Sequence, residues 1–377
     1  MRFEFATATR IVFGPGTVRE IAPAAKSMGR RALLVAGVSP ALLGETGLDC
    51  ARLGVEGEPT LDLVRRGVAL ARQERCDLVI GLGGGSAIDA GKAVAALLAN
   101  GGDPLDYLEV IGAGKSLSVP SAPFIAVPTT AGTGAEVTRN AVLASPEHFV
   151  KASLRSPLML PRLAVVDPEL TFGLPPAVTA STGLDALTQL IEPYVSVRAN
   201  PMTDLYCVEG IARAARSLRR VYADGRDPEA RADMSMASLL GGLSLANAGL
   251  GVVHGFAAPI GGMFDAPHGA VCAALLPHGM ETNLHALRAR APGSEPLRRY
   301  QIIARILTGE PDAAAEAGVE WVSRICRELN IPPLRSYGIS EQHAAPLVAG
   351  AAQASSMKGN PIALTATELT GVLARAL

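Results

Sequence analysis

The sequence predicts an α/β N-terminal domain built on a parallel sheet, followed by an all-α C-terminal domain. From about residue 30 to residue 170, short apolar or β-branched runs alternate with amphipathic stretches, as in successive βα units. After Pro175 these runs give way to long segments rich in Ala and Leu that have helical periodicity. We therefore expect an α/β domain over residues 1–170 and a helical domain over residues 171–377.

Four apolar runs predict the strands of the parallel sheet. They are RALLVAG (31–37), CDLVIGLGGG (76–85), APFIAVPTT (122–130) and RLAVVDP (162–168). Ahead of them, FEFATATRIVFGPG (3–16) predicts two strands joined by a tight connection. Between Ser39 and Gly47 there is room only for a short crossover helix. The clearest helices of the second half are predicted over residues 175–196, 201–222 and 231–249.

Composition excludes several classes of protein. The 377 residues are 49% hydrophobic and 18% charged, which is typical of a soluble α/β enzyme. A formal net charge of -1 offers no basic face for nucleic acid, and no apolar run reaches the ~20 residues that span a membrane. The N-terminus has no targeting pattern, and the five cysteines include no C-x-x-C pair. We therefore expect a reducing, cytoplasmic compartment.

A glycine-rich turn follows the second of the predicted strands. In GLGGGSAIDAGK (81–92) the glycines let backbone N–H groups approach an anion, and the next helix adds partial positive charge at its N-terminus. A pyrophosphate therefore suits this position. The stretch departs from two familiar motifs: Ala93 follows Lys92 where a P-loop has Ser or Thr, and Ser86 replaces the third glycine of G-x-G-x-x-G. A turn that only packs strand against helix is the alternative.

A second turn, rich in threonine and glycine, follows the next strand. PTTAGTGAEVT (128–138) offers hydroxyl donors at Thr129, Thr130 and Thr133. Taken alone, this turn is equally consistent with a structural role. Because the turns after consecutive strands meet at the carboxyl edge of a parallel sheet, where nucleotides bind, the two turns together predict a nucleotide site.

Four polar residues in the second half form a candidate metal site. Asp185 and Gln189 are four residues apart on a predicted helix and therefore share a face. With His254 and His268 they offer oxygen and nitrogen donors that suit a divalent metal. The alternatives are a solvated or capping Asp and hydrogen-bonded structural histidines. Cys272 lies on an apolar helix, and we expect it in the core.

These motifs resemble the iron-containing (group III) alcohol dehydrogenase family, which includes the maleylacetate reductases. The resemblance covers essentially the whole chain. It is carried by GGGSAIDAGK (83–92), PTTAGTGAE (128–136), LAVVDPEL (163–170), TGLDALTQLIEPYVS (182–196), GVVHGFAAPIGG (251–262), APHG (266–269) and MKGNP (357–361).

The resemblance implies a nucleotide-binding α/β domain, a helical metal and substrate domain, and an active site between them. It implies nucleotide contacts in the two turns, at Gly83, Gly84, Gly85, Ser86, Asp89, Thr129, Thr130 and Thr133. It also implies a divalent metal, Fe2+ or Zn2+, which the family holds with one Asp and three His. Asp185, His254 and His268 stand at three of those positions. We expect a homodimer that acts on a small molecule.

The sequence departs from the family pattern at three places. Gln189 stands where the third metal-binding His is usual, and an amide binds transition metals less well than imidazole, so we expect a weakened or empty metal site. Ala258 replaces a second His that is often linked to proton transfer. At the end of the ALLVA strand, Gly37 and Val38 provide no acid to repel a 2′-phosphate, so either NAD or NADP fits.

The leading hypothesis is reversible hydride transfer between NAD or NADP and a small alcohol or its aldehyde or ketone. A bound metal would polarise the substrate oxygen. Without one, we expect His254, His268 and Lys151 to polarise the carbonyl by hydrogen bonding. Three alternatives stay open: a metal-independent, maleylacetate reductase-like reduction of an oxo acid, served by Lys151 and Arg155; a degenerate member that binds nucleotide without turnover; and a lyase like dehydroquinate synthase.

Overall fold

A computed structural model describes residues 2–37, 48–148 and 150–377. Within it the chain forms two compact units. The α/β unit comprises Ala6–Thr130 and Gly134–Phe172. The helical unit comprises Gly173–Leu377, together with Ala131–Thr133 and the N-terminal residues up to Phe5. The short helix expected between Ser39 and Gly47, like Val38, lies outside the described residues.

A parallel sheet of six strands, counted over the described residues, forms the centre of the α/β unit. Its spatial order is β1 (Ile11–Phe13), β8 (Leu163–Val166), β5 (Phe124–Pro128), β4 (Leu78–Gly83), β2 (Ala32–Ala36) and β3 (Cys50–Gly54). The chain runs from β2 outward to β3 and returns to β4 on the other side of β2. The strand order therefore reverses between β2 and β4, and open α/β sheets bind ligands at such a point.

Helices cover both faces of this sheet. On one face α1 (Ile21–Met28) packs on a cluster that includes Leu34 of β2. On the other face α2 (Leu61–Gln73) and α3 (Gly85–Asn100) pack on a cluster that includes Leu33. Successive strand residues point to opposite faces, so both kinds of position must be apolar, and burying each such side chain stabilises the fold by about 1.5–3 kcal/mol. The short helix α4 (Pro104–Tyr107) follows α3.

An antiparallel hairpin, separate from the sheet, is anchored to α3. Its strands are β6 (Asn140–Ser145) and β7 (Val150–Arg155). Asp89 of α3 accepts the Val142 N–H through Oδ2 at 2.9 Å. Lys92 is buried; its Nζ lies 2.9 Å from Asp89 Oδ1 and donates to the backbone oxygens of Ala135 and of Asn140, the first residue of the hairpin. The charged pair on α3 thus holds the hairpin in place.

Helices form the second unit. They are α5 (Pro176–Val195), α6 (Pro201–Ala223), α7 (Pro228–Ala248), α8 (Val252–Met263), α9 (His268–Arg290), α10 (Glu295–Thr308), α11 (Ala315–Glu328), α12 (Ala344–Gln353) and α13 (Ala366–Ala376). Side-chain caps explain several starts. Asn200 accepts backbone N–H groups of the first turn of α6, and Thr365 does the same for α13.

The expectation of two strands within residues 3–16 is wrong. The structure forms a single strand there, because β1 extends the open edge of β8 in parallel register. The preceding segment has a different partner: Phe5 packs against Tyr206 in the helical unit, with ring centroids 5.7 Å apart. The alternating pattern of this segment therefore reflects packing on two different partners rather than a local hairpin.

In the described part of the chain, no single helix has both the length and the apolarity to cross a membrane. The pair α7 and α8 meets these criteria only when its two helices are taken together, and it is bent by 96° at the break between them.

Candidate functional site

Asp185, His254 and His268 converge in the helical unit, and Cys272 joins them. His254 Nε2 lies 3.4 Å from Asp185 Oδ1, and His268 Nε2 lies 3.7 Å from the same oxygen. The Cys272 sulfur is 3.8 Å from His254 Nε2 and 3.6 Å from His268 Nε2. One donor atom from each of these four residues lies within 4.8 Å of the other three. We call these four residues the donor cluster.

Three helices present the donor cluster. Helix α5 carries Asp185 on a face that continues one and two turns later with Gln189 and Glu192, and all three are buried. Helix α8 carries His254 in its first turn. Helix α9 begins at His268 and brings Cys272 onto the same face one turn later. His268 keeps 36% of its side chain exposed against 1% for Asp185, so the cluster opens to solvent on the His268 side.

Glu192 fixes the position and the tautomer of His254. One Glu192 oxygen accepts the Val253 N–H at 2.7 Å and the other lies 2.7 Å from His254 Nδ1. Because an ionised carboxylate can only accept, Nδ1 carries a proton, and Nε2 is the nitrogen that faces the donor cluster. Asn360 accepts the neighbouring Val252 N–H at 3.0 Å. The two acceptors together pair the backbone N–H groups of Val252 and Val253 at the start of α8.

Gly251, just before α8, leaves room for both acceptors. A Cβ atom at this position would lie 2.9 Å from Asn360 Oδ1 and 2.9 Å from Glu192 Oε1. Any other residue would therefore push aside the groups that hold His254. This is the physical need behind the glycine at this position.

The donor cluster favours positive charge. Burial raises the pKa of Asp185, but the imidazoles of His268 and His254 outweigh burial and hold this pKa below its ordinary value. Burial lowers the pKa of His254, but the Cys272 sulfur, Asp185 and Glu192 raise it well above the ordinary value. The same sulfur, opposed by burial, raises the pKa of His268 to about 9. The groups around the two imidazoles thus stabilise positive charge. A divalent cation would be stabilised by the same groups that stabilise the protons on His254 and His268.

Two buried oxygen atoms support the fit of a cation. Asp185 Oδ1 and Gln189 Oε1 have no hydrogen-bond partner among the described residues. The Gln189 amide instead donates from Nε2 to Asp185 Oδ2 at 2.8 Å. A buried carboxylate oxygen without a partner costs more than about 1–3 kcal/mol, which a bound cation would offset. The donor set and its unpaired oxygen therefore fit a divalent metal.

Sequence reasoning missed two residues of this site. Cys272 was expected in the core, and it is indeed fully buried, but its sulfur faces both imidazoles. Glu192 was not singled out. Each had a usable signal: Cys272 follows His268 by four residues, and Glu192 follows Asp185 by seven, so each shares a helix face with a candidate ligand.

The two turns of the α/β unit lie side by side at the carboxyl edge of the sheet. Strands β4 and β5 pair with Gly83 opposite Pro128, and the Thr129 N–H donates to the Gly83 oxygen at 2.9 Å. A Cβ atom on Gly84 would lie 3.5 Å from the Thr130 side chain. Gly85 and Ser86 begin α3, whose N-terminus has no side-chain cap. The first backbone N–H groups of α3 are thus left for an anion.

Gly37 and Gly83 bring the turns after β2 and β4 together at the point where the strand order reverses. The Gly37 N–H donates to the Leu82 oxygen at 3.0 Å. Gly83 has a φ of +151°, and a Cβ atom there would lie 2.8 Å from the Ala87 Cβ and 3.1 Å from the Gly37 nitrogen. Only glycine meets both conditions without strain.

Three other predicted site residues have different surroundings. Asp89 contacts the hairpin and Lys92, as described above. Thr133 belongs to the helical unit, where its neighbour Gly132 packs on Thr182. Lys151 lies on β7 in the α/β unit, with its Nζ 2.8 Å from Glu58.

Comparison with protein families is consistent with both sites. The family described as "Iron-containing alcohol dehydrogenase" matches residues 8–168, and "Fe-containing alcohol dehydrogenase family, C-terminal" matches residues 179–377. The chain belongs to the iron-containing alcohol dehydrogenase family. Both turns lie in the first matched region, and the donor cluster lies in the second.

Individual members of the iron-containing alcohol dehydrogenase family are similar over most of their length. Alcohol dehydrogenase 4 of Schizosaccharomyces pombe is 39% identical, over 86% of this chain and 74% of the relative. The 1,3-propanediol dehydrogenase of Klebsiella pneumoniae is 37% identical, over 90% of this chain and 89% of the relative. A crystal structure of a 1,3-propanediol oxidoreductase superposes with a TM-score of 0.92 at 33% identity and covers 100% of both chains.

Proposed function

We propose that this protein is an NAD(P)-dependent oxidoreductase that interconverts a small alcohol and its aldehyde or ketone. The single observation that carries the proposal is the convergence of Asp185, His254 and His268 around an unpaired buried carboxylate oxygen. Family membership supports hydride chemistry at such a site. The similarity to 1,3-propanediol dehydrogenase supports small alcohols as substrates.

The glycine turn after β4 is proposed to bind the pyrophosphate of the cofactor. Gly84 is half-buried at the reversal of strand order, and α3 directs the N–H groups of Gly85 and Ser86 toward the same place. Thr129 and Thr130 stand beside this turn. Asp89 acts as a positioning residue, because its carboxylate holds the hairpin. Gly37 carries no side chain at the neighbouring strand end, so we propose that both NAD and NADP are accepted.

The donor cluster is proposed to hold a divalent cation through Asp185, His254 and His268. The cation supplies Lewis-acid polarisation of the substrate oxygen, and the nicotinamide supplies the hydride chemistry. The protein's own contribution is to keep the ligands in place: Glu192 holds His254 Nδ1–H, and burial of Asp185 excludes water from its carboxylate. Substrate would approach from the exposed His268 side.

Ala258 removes one route for the proton. Its methyl group cannot donate or accept, so the proton that the substrate oxygen gains or loses must pass to solvent or to another group. The side chain of Ala258 is exposed, which leaves solvent with access at this position. Lys151 remains a candidate for carbonyl polarisation, although its ammonium group is paired with Glu58.

The proposed function is tested by cofactor-linked turnover. The purified chain is assayed by NADH or NADPH absorbance with short primary alcohols, including 1,3-propanediol, and with their aldehydes. We expect activity that a chelator removes and that ferrous or zinc ion restores. Activity that survives full metal removal would favour reduction of an oxo acid instead. The cations on which that alternative relies, Lys151 and Arg155, are paired with Glu58 and Glu109. Tight NADH binding without turnover of any carbonyl would indicate a degenerate member.

We also propose a cytoplasmic homodimer. The five cysteines are free thiols, as suits a reducing compartment. Helix α6 exposes Met202, Leu205 and Val208 on one face, with Leu205 73% exposed, and such a face suits contact with a second copy. Light scattering of the purified chain measures the mass directly, and a monomer at all concentrations would exclude the dimer.

A further inference from the structure

The donor cluster contains one donor that the family's usual ligand set does not include. Cys272 is fully buried on α9, and its sulfur makes polar contacts with the imidazole nitrogens of His254 and His268. We propose that Cys272 is the fourth metal ligand of this protein, that it takes over the role lost at Gln189, and that the resulting site prefers Zn2+ to Fe2+. This inference rests on the metal site of the proposed function.

The distances within the cluster match the edges of a tetrahedron. With metal bonds of about 2.0–2.2 Å to nitrogen or oxygen and about 2.3 Å to sulfur, tetrahedral angles place nitrogen about 3.4 Å from oxygen and about 3.6 Å from sulfur. Asp185 Oδ1 lies 3.4 Å and 3.7 Å from the two histidine Nε2 atoms. The Cys272 sulfur lies 3.8 Å and 3.6 Å from the same atoms. Four of the six donor-to-donor distances therefore match this arrangement, and the other two are within 4.8 Å. The substrate oxygen of the proposed function would join as a fifth ligand.

The Gln189 side chain forms a hydrogen bond with Asp185. Its Nε2 donates to Asp185 Oδ2 at 2.8 Å, which holds the carboxylate with Oδ1 free. A half-turn of the amide would place two oxygen atoms against each other, and an ionised Asp185 would repel that arrangement. Gln189 therefore acts as a positioning residue for Asp185.

The change of ligand alters the expected metal preference. A thiolate is a soft donor, and one sulfur, two imidazole nitrogens and one carboxylate in tetrahedral arrangement suit Zn2+ better than a set of harder donors does. The sequence predicted weakened metal binding because Gln189 stands at the position of the usual third His. With Cys272 counted, the cluster again has four strong ligands, so the site is expected to bind zinc tightly.

Cobalt substitution tests the ligand directly. The full chain is stripped with a chelator and loaded with one equivalent of Co2+, and its near-ultraviolet absorption is recorded. Ligation by sulfur produces an intense thiolate-to-cobalt charge-transfer band. We expect this band in the wild-type protein and its loss in Cys272→Ser, with zinc binding weakened about 10-fold or more in a chelator competition. Cys326→Ser is the matched control, because this thiol lies outside the donor cluster and donates to the Ala273 oxygen. It should keep both the band and the affinity.

Other results would overturn the inference. Wild-type protein that binds one cobalt ion without the band, or Cys272→Ser that keeps the band, excludes Cys272 as a ligand. A loss of affinity in Gln189→Ala with none in Cys272→Ser would assign the fourth ligand to Gln189. Cys272→Ala, checked by circular dichroism, separates lost ligation from lost folding. Metal-dependent alcohol oxidation without the charge-transfer band would contradict this inference but not the proposed function. A band in a protein that turns over no substrate would support Cys272 as a ligand and contradict the proposed function.

Discussion

The glycine turn of the α/β unit and the donor cluster of the helical unit are built from different parts of the chain. The turn after β4 uses backbone groups that follow one another in sequence, from Gly83 to Ser86. The donor cluster uses side chains from α5, α8 and α9, and α6 and α7 separate α5 from the other two in sequence. A backbone site can therefore be recognised in a short stretch of sequence, whereas a side-chain site depends on how helices pack.

The two regions also treat a buried carboxylate in opposite ways. Asp185 stays charged, because two imidazoles outweigh burial and lower its pKa. Glu136, in the threonine turn of the α/β unit, is equally buried, but burial dominates and raises its pKa to about 7, opposed only partly by its own backbone N–H and by Lys92. The pKa values of the two carboxyls are therefore shifted in opposite directions, that of Asp185 by nearby imidazoles and that of Glu136 by burial.

The largest expected effect is the loss of the metal in Asp185→Ala. The substitution removes the only carboxylate ligand of the proposed site and leaves His254 with Glu192 as its one carboxylate partner. We expect metal affinity and alcohol oxidation to fall by more than about 100-fold. Elemental analysis and cofactor-linked turnover measure the two effects. The exposed Asp312→Ala is the control, and NADH binding should be retained. Full activity in Asp185→Ala would show that the cluster is not catalytic.

The next effect is a pH-dependent gain of stability in Glu136→Gln. Because folding raises the pKa of Glu136 from 4.5 to about 7, the folded state binds more protons than the unfolded state between these values. The contribution of Glu136 to the free energy of unfolding is thus highest below about pH 4.5. This contribution falls by about 3 kcal/mol as pH rises to about 7. Glutamine mimics the neutral acid, so the variant should lose this decline.

Urea denaturation at about pH 5 and about pH 8 measures the effect. The exposed Glu147→Gln serves as the control for removal of a surface carboxylate. An equal difference between variant and wild type at both pH values would contradict the assignment of a largely neutral Glu136.

A smaller loss of metal affinity is expected in Glu192→Gln. To keep the Val253 N–H paired, the new amide must accept there with its oxygen and turn its NH2 group toward His254 Nδ1. The proton of His254 then moves to Nε2, which can no longer bind metal. We expect metal affinity to fall about 10–100-fold while folding is kept. Metal titration against the exposed control Glu320→Gln measures this, and unchanged affinity would remove Glu192 from the site.

The smallest effect is expected in Gly83→Ala, where cofactor binding should weaken while metal binding is kept. The new methyl group would meet Ala87 and the Gly37 nitrogen, and the residue would be held at a φ of +151°, which costs about 1–3 kcal/mol. We expect NAD(P)H affinity to fall about 10-fold and metal content to stay unchanged. Gly54→Ala, where a Cβ atom meets nothing within 4 Å, is the control. Loss of metal in Gly83→Ala would show that the two sites are not independent.

The structure also shows contacts that the sequence did not predict. Asp89, which the sequence places with the pyrophosphate turn because it lies one helical turn beyond it, accepts the Val142 N–H of the hairpin. The strands expected before residue 16 depended on local alternation, but Phe5 packs on Tyr206. In both cases the partner lies far away in sequence, and a local pattern contains no information about it.

The amino-acid sequence by itself predicted the fold class, four strands of the parallel sheet, the glycine turn, and Asp185, His254 and His268 as candidate ligands. These features depend on periodicity, on glycine conformations and on a pattern of motifs, all of which are local. Only the tertiary structure decided that Cys272 faces the two imidazoles, that Gln189 supports Asp185 and that Glu192 sets the tautomer of His254. The physical reason is that ligation requires donor atoms within a few ångströms, and that proximity arises from the packing of α5, α8 and α9.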